Sequence, residues 1–205
     1  MKRVAIVNSG ICNLTSVLNA FEYLSMDVEI VDDGSGFDRF SHLVLPGVGA
    51  FMQGMRMLKE RGLDQAIRRE VDKGKPLLGI CLGMQLLASK GEEFGITEGL
   101  GLIPGDITKM RLSIPELRLP HVGWNDLNYP RQSPLWKGIE ENTAFYFIHS
   151  FAYTHIPDEY VIGICEYGGR VVAAVQKGHV FGIQFHPEKS QKPGLQLLRN
   201  FVEQC

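Results

Sequence analysis

The sequence predicts an α/β fold: an open, mostly parallel central sheet with flanking helices and an antiparallel β extension. Three observations lead there. Short apolar runs alternate with helical periodicity through the first half. Glycine-marked turns follow two of those runs, at Pro46-Gly47-Val48-Gly49 and around Gly79 and Gly83. From Ile107 onward the pattern changes to closely spaced β-like runs. Strands that alternate with helices connect by right-handed crossovers and pair in parallel. Ligands of such sheets sit beyond the carboxyl ends of the strands.

Val4–Val7 reads as the first strand and Gly10–Asn13 as a turn. Leu14, Val17, Leu18, Phe21 and Leu24 then fall on one helical face, with Asn13 placed as N-cap. Val28–Val31 is the second strand and Asp32–Phe40 a polar loop. Leu43–Leu45 is the third strand and ends in the PGVG turn. Phe51, Met55 and Leu58 mark one helix; Leu63, Ala66, Ile67 and Val71 mark another. In the second half, β-like runs cover 107–112, 145–148, 160–165, 171–176 and 180–185. Arg118–Asn125 reads as a proline-containing loop. An amphipathic helix around Leu195, Leu198, Phe201 and Val202 closes the chain. Neither repeats nor an interdomain linker are evident, so 1–205 is taken as a single domain.

With 44% hydrophobic residues and a net charge of −2, the composition suits a filled globular core. No basic run points to nucleic acid or to a membrane surface. The apolar start ends at Asn8, too soon for a signal peptide or a membrane span. The four cysteines, at 12, 81, 165 and 205, have neither disulfide-like nor zinc-like spacing. That usage suggests a reduced, cytoplasmic protein. His42, His149, His155 and His179 show no metal spacing, and no glycine-rich loop suggests a phosphate-bearing cofactor. No cofactor and no metal are therefore expected.

The chemistry is written around Lys75–Ser89, KPLLGICLGMQLLAS. Pro76–Ile80 reads as a buried strand. Cys81 follows in a G-x-C-x-G pattern, the thiol form of a nucleophile elbow. A strand turning directly into a helix crowds its own backbone, hence Gly79 and Gly83. A helix N-terminus there favours the thiolate, and the Leu82 N–H would face the oxygen of a group under attack. Far along the chain stands Phe185-His186-Pro187-Glu188-Lys189. His186 is placed as general base and then general acid, and Glu188 as the group that orients it.

The motifs GICLGMQ and QFHPEKS resemble those of class I, triad-type glutamine amidotransferases. More narrowly, LPGVG, LPHVGWN, FYFIHSF and GIQFHPEKSQ resemble the glutaminase subunits of imidazole glycerol phosphate synthases, over nearly the whole chain. The resemblance implies the triad Cys81, His186 and Glu188. It places Gly49 and Gln85 at the substrate glutamine. It assigns Gly47 and Val48, with Leu82, to the oxyanion hole, although PGVG taken alone is also an ordinary turn. It implies that ammonia passes to a separate (β/α)8-barrel cyclase in a heterodimer, for histidine biosynthesis. It puts Pro120, His121, Trp124, Asn125, Tyr146 and Lys189 near that contact; a tryptophan there also serves as a lid on the domain's own core. His149 lies in a shared motif and reads as structural. Cys12 stands where glycine is common.

Three other readings remain at this point. A paralogous glutaminase could feed a sugar amidotransferase of surface polysaccharide synthesis. Cysteine-elbow hydrolases and chaperones often carry histidine directly after the cysteine, where this chain has Leu82. A non-catalytic activator would have lost part of the triad, and no member is missing.

Overall fold

A computed structural model describes residues 2–205. Its strands are β1 (Arg3–Val7), β2 (Asp27–Val31), β3 (His42–Gly47), β4 (Leu77–Cys81), β5 (Lys90–Gly91), β6 (Thr97–Glu98), β7 (Asp106–Lys109), β8 (His121–Leu127), β9 (Thr143–His149), β10 (Phe151–Thr154), β11 (Val161–Glu166), β12 (Arg170–Lys177) and β13 (Val180–Ile183). The helices are α1 (Leu14–Tyr23), α2 (Phe51–Glu60), α3 (Leu63–Asp72), α4 (Leu82–Leu86) and α5 (Gln191–Gln204).

The main sheet has seven strands in the order β11-β12-β13-β4-β3-β1-β2. From β13 through β4, β3 and β1 to β2 every pairing is parallel, while β11–β12 and β12–β13 are antiparallel. The central strands are apolar because both faces are covered. Val4 and Ile6 enter one core with Phe21 and Phe201; Ala5 and Val7 enter the other with Phe51 and Ile67. That alternation is the period of a strand read through two layers of helix.

The expected antiparallel extension is divided. Only β11 and β12 prolong the main sheet. β10-β7-β5-β6 form a second sheet, and β8 pairs with β9 in a separate antiparallel ribbon. The stretch expected as a loop at Arg118–Asn125 contains most of β8. Its strand signal is masked by Pro120 just before it and by an inverted pattern, in which polar His121 and Asn125 face inward while Val122 and Trp124 face out. The polar loop Asp32–Phe40 is mostly a 3-10 helix, Gly34–Arg39. The Asp33 carboxylate accepts from the Ser35 N–H at 2.8 Å and starts it, and Phe37 and Phe40 are buried beneath it. Asn13 stands at the N-cap of α1 but makes no capping hydrogen bond through its side chain. The termini of β3 and β4 lie side by side, with Gly47 opposite Cys81, so PGVG and the elbow meet at one edge.

Candidate active site

Cys81 ends β4 with φ +56° and ψ −112°, backbone that a non-glycine residue adopts only under constraint. The constraint is visible in the neighbouring glycines. A Cβ on Gly83 would lie 1.7 Å from the Leu45 carbonyl oxygen, and one on Gly79 would lie 2.6 Å from the Gly83 carbonyl oxygen. The elbow is thus pressed against β3 and against itself. The helix that follows is only five residues long. The helix-dipole support expected for a thiolate is therefore weaker than the sequence suggested.

His186 and Glu188 occupy the turn after β13. The His186 Nδ1 is 2.8 Å from Glu188 Oε1, and both side chains are almost fully buried. The backbone pins this turn to the β8–β9 ribbon. The His186 N–H donates to the Tyr146 carbonyl at 2.9 Å, and the Ser190 hydroxyl accepts from the Tyr146 N–H at 3.0 Å. Burial disfavours charge on His186. The hydrogen bonds and charges of Cys81 and Glu188 outweigh it and push the imidazole up to about 10. Its Nε2 is buried without a hydrogen bond of strict geometry. Sequence reasoning had separated these three residues across the chain, and the fold brings them together.

The PGVG stretch stands differently from expectation. The Val48 N–H donates to the Ile11 carbonyl at 2.9 Å, so it is turned to the Gly10–Asn13 turn. Gly47 lies in strand register, and Gly49 takes φ +94°. The Ile11 carbonyl was not foreseen, because a main-chain acceptor leaves no mark in residue type.

Gln85 is buried beside the elbow. Its Nε2 donates to the Phe151 carbonyl at 3.1 Å and to Gln184 Oε1 at 3.0 Å. Both amide hydrogens are used, so only Oε1 is free to accept a further hydrogen bond. The Phe151 carbonyl also lies 2.8 Å from His149 Nδ1. A carbonyl only accepts, so that nitrogen carries the proton. His121 Nδ1 then donates to His149 Nε2 at 3.1 Å, and Asn125 Nδ2 donates to His121 Nε2 at 3.3 Å. The six candidate contact residues are thereby split by strand alternation. His121 is buried between Phe147 and Tyr167, and Asn125 faces the same way and donates to the Glu166 carbonyl. Both serve the interior. Trp124 points outward beside Tyr146, with Lys189 over the Tyr146 ring, and Pro120 is exposed at the strand start. Val122 and Ile148, half exposed, complete that outward apolar face and were missed. An i, i+2 pattern of Val122 and Trp124 is its sequence signal, unreadable while the stretch passed for a loop.

Residues 5–205 match a family described as glutamine amidotransferase class-I. The chain belongs to this family. Among curated relatives, the chain is 44% identical over 203 residues to the imidazole glycerol phosphate synthase subunit HisH of Moorella thermoacetica, covering 99% of this chain and 95% of that one. It is 45% identical over 198 residues to the Bacillus cereus protein of the same description, covering 97% and 93%. In fold it is similar to the structure of PurLQS from Thermotoga maritima, with a TM-score of 0.78 at 21% identity over 99% of this chain and 98% of that one. Among the described residues of this amidotransferase, no helix is long and apolar enough to cross a membrane.

The buried histidines predict how stability follows pH. Burial, with the Lys2 charge, lowers His42 to about 4; burial alone lowers His121 to about 4. Burial also lowers His149 to about 4, against the Phe151 hydrogen bond and with the charges of His121 and His186. Below about pH 6.5 the unfolded chain binds protons that these folded imidazoles refuse, so stability falls as pH drops towards 4. Each group contributes a slope of about 1.4 kcal/mol per pH unit. His186 has the opposite sign: its contribution is complete below about 6.5 and is lost as pH rises towards 10. Urea midpoints measured from pH 4 to 10 are expected to peak near neutrality, with a steep acid limb. Equal midpoints at pH 4.5 and 6.5 would contradict this.

Proposed function

We propose that this chain is the glutaminase subunit of an imidazole glycerol phosphate synthase, folded as one domain over 1–205. The observation that carries the chemistry is the buried His186–Glu188 pair at 2.8 Å, brought to the elbow cysteine by β13 lying directly against β4. The near-complete coverage of the HisH relatives carries the narrower reading. The single-domain reading is supported by the main sheet, which interleaves strands from both ends of the chain.

In this reading the Cys81 thiolate attacks the side-chain amide carbon of glutamine, and its oxygen becomes an oxyanion. The His186 imidazolium gives its proton to the amide nitrogen. The C–N bond breaks, ammonia leaves, and a glutamyl thioester remains. Neutral His186 then takes a proton from water, whose oxygen attacks the thioester carbon. Collapse of the second tetrahedral intermediate expels the thiolate and yields glutamate. Glu188 holds the imidazole through Nδ1 and balances its charge. Leu82 N–H supplies one oxyanion donor. The second requires the PGVG strand to release Val48 from the Ile11 carbonyl, or Gly49 to turn its peptide inward. Losing one such donor costs about 10²–10³ in rate.

The ammonia would pass to a (β/α)8-barrel cyclase that forms imidazole glycerol phosphate and the aminoimidazole carboxamide nucleotide. The face formed by Val122, Trp124, Tyr146, Ile148 and Lys189 is the surface for that partner. An exposed apolar patch with an aromatic centre suits docking. One hydrogen bond separates it from the catalytic turn, through the Tyr146 carbonyl.

The test is glutamate release by the chain alone, with the barrel cyclase, and with cyclase plus its phosphoribulosyl substrate. Near silence alone and strong stimulation in the third state are expected. Fast hydrolysis by the isolated chain would contradict the closed oxyanion strand. Indifference to the cyclase and its substrate would leave the triad and redirect the reading to the polysaccharide paralogue.

A further inference from the structure

Gln184 sits between Ile183 and Phe185 with no exposed surface, and nothing in the mechanism above uses it. Its Nε2 is 3.8 Å from the Cys81 sulphur, within hydrogen-bond range for sulphur. Its Oε1 accepts from Gln85 Nε2 at 3.0 Å.

Which end of the amide faces the sulphur follows from one main-chain atom. The Phe151 carbonyl can only accept, so the Gln85 atom 3.1 Å from it is the amide nitrogen. That same nitrogen faces Gln184, which must answer with oxygen. The other end of Gln184, the N–H₂ group, is then left pointing at Cys81. Swapping the Gln184 ends would set two amide N–H₂ groups against each other in a buried site, leaving donors unpaired. The relay from Phe151 carbonyl to Gln85 to Gln184 thus has a single polarity.

We propose that Gln184 is a positioning residue for the nucleophile: its side-chain N–H, aimed by Gln85 and the Phe151 carbonyl, holds the Cys81 sulphur and favours its thiolate. The proposal rests on the reading of Cys81 as nucleophile. An N–H donor to an anion forms a charge-assisted bond, stronger to thiolate than to thiol. The sulphur is then held from two sides, by the His186 ring and by the Gln184 amide. The same donor favours expulsion of the thiolate when the thioester is hydrolysed. Gln184 has no place in the proton transfers, and in Gln184→Glu, which keeps the contact to Gln85, the loss acts on kcat and leaves glutamine KM nearly unchanged.

The test reads the sulphur itself. The full chain, as wild type and as Gln184→Met and Gln184→Glu, is alkylated with iodoacetamide from pH 5 to 10. Modification of the Cys81 peptide is followed by mass spectrometry, which separates it from Cys12, Cys165 and Cys205. Gln184→Met removes the donor at similar volume. Gln184→Glu keeps the acceptor for Gln85 and turns a carboxylate oxygen to the sulphur. Both are expected to move the Cys81 profile to higher pH, Gln184→Glu further, with alkylation at neutral pH about tenfold slower. Profiles that coincide with wild type would overturn the proposal. Should Gln184→Met fail to fold, Gln184→Glu decides alone. Cys81→Ala assayed for glutamate release keeps the outcomes apart: if it remains active, the nucleophile assignment fails, whereas unshifted profiles with an inactive Cys81→Ala sink only the role of Gln184.

Discussion

Replacing Cys81 with alanine is expected to reduce glutamine hydrolysis by about 10⁵–10⁶-fold, the loss typical of removing a nucleophile from a triad. The reason is the geometry of the elbow. Cys81 is held at φ +56° by Gly79 and Gly83. Cys165 is buried within β11, where burial first and the Glu166 charge second push it up to about 12. It cannot substitute. Glutamate release measured with the cyclase and its substrate present reads this directly. Ammonium salts supplied to the same complex are expected to restore the synthase product, because the cyclase's chemistry is untouched. Hydrolysis above about one-hundredth of wild type would refute the thioester route.

The second large effect concerns the fold. Gly83→Ala places a methyl 1.7 Å from the Leu45 carbonyl oxygen, a main-chain atom of β3. The clash is relieved only by moving β3 away from β4 or by unwinding the start of α4. Ordinary overpacking costs about 1–3 kcal/mol; a backbone overlap of this depth is expected to exceed about 4 kcal/mol. Against a total stability of about 5–15 kcal/mol, that brings the chain close to unfolding at 25 °C. Gly62→Ala is the comparator. Gly62 has φ +64° but open space around its Cβ position, so only the left-handed backbone is penalised, at about 1 kcal/mol. Urea denaturation of the two variants should separate overlap from backbone strain. Similar midpoints would mean that the β3–α4 contact yields easily.

Much of this was legible beforehand, for identifiable reasons. The parallel strands showed because they are buried on both faces and read as unbroken apolar runs. The His186–Glu188 pair showed because its chemistry lies in residue types at a strand end. β8 did not show, because Pro120 precedes it and its alternation is inverted, with polar His121 and Asn125 inside and apolar Val122 and Trp124 outside. Without that strand, no reading could tell that Trp124 faces out while His121 and Asn125 face in. Gln184 had a readable sign that was passed over: at i, i+2 from His186, it lies on the same side of extended chain. The polar loop at Asp32–Phe40 hid two buried phenylalanines because its turn residues dominated the reading. The contact between Val48 and Ile11 was beyond reach, since both of its partners are backbone.

The Phe151 carbonyl accepts from both Gln85 and His149. Because it is peptide oxygen, the side chain at position 151 can be exchanged without deleting it. The site is therefore tolerant of residue replacement there and sensitive to displacement of the chain. A one-residue insertion or deletion in the single-residue link at Ser150, between β9 and β10, would shift the amide relay and the imidazole relay together. Over evolutionary change, this junction should hold its length.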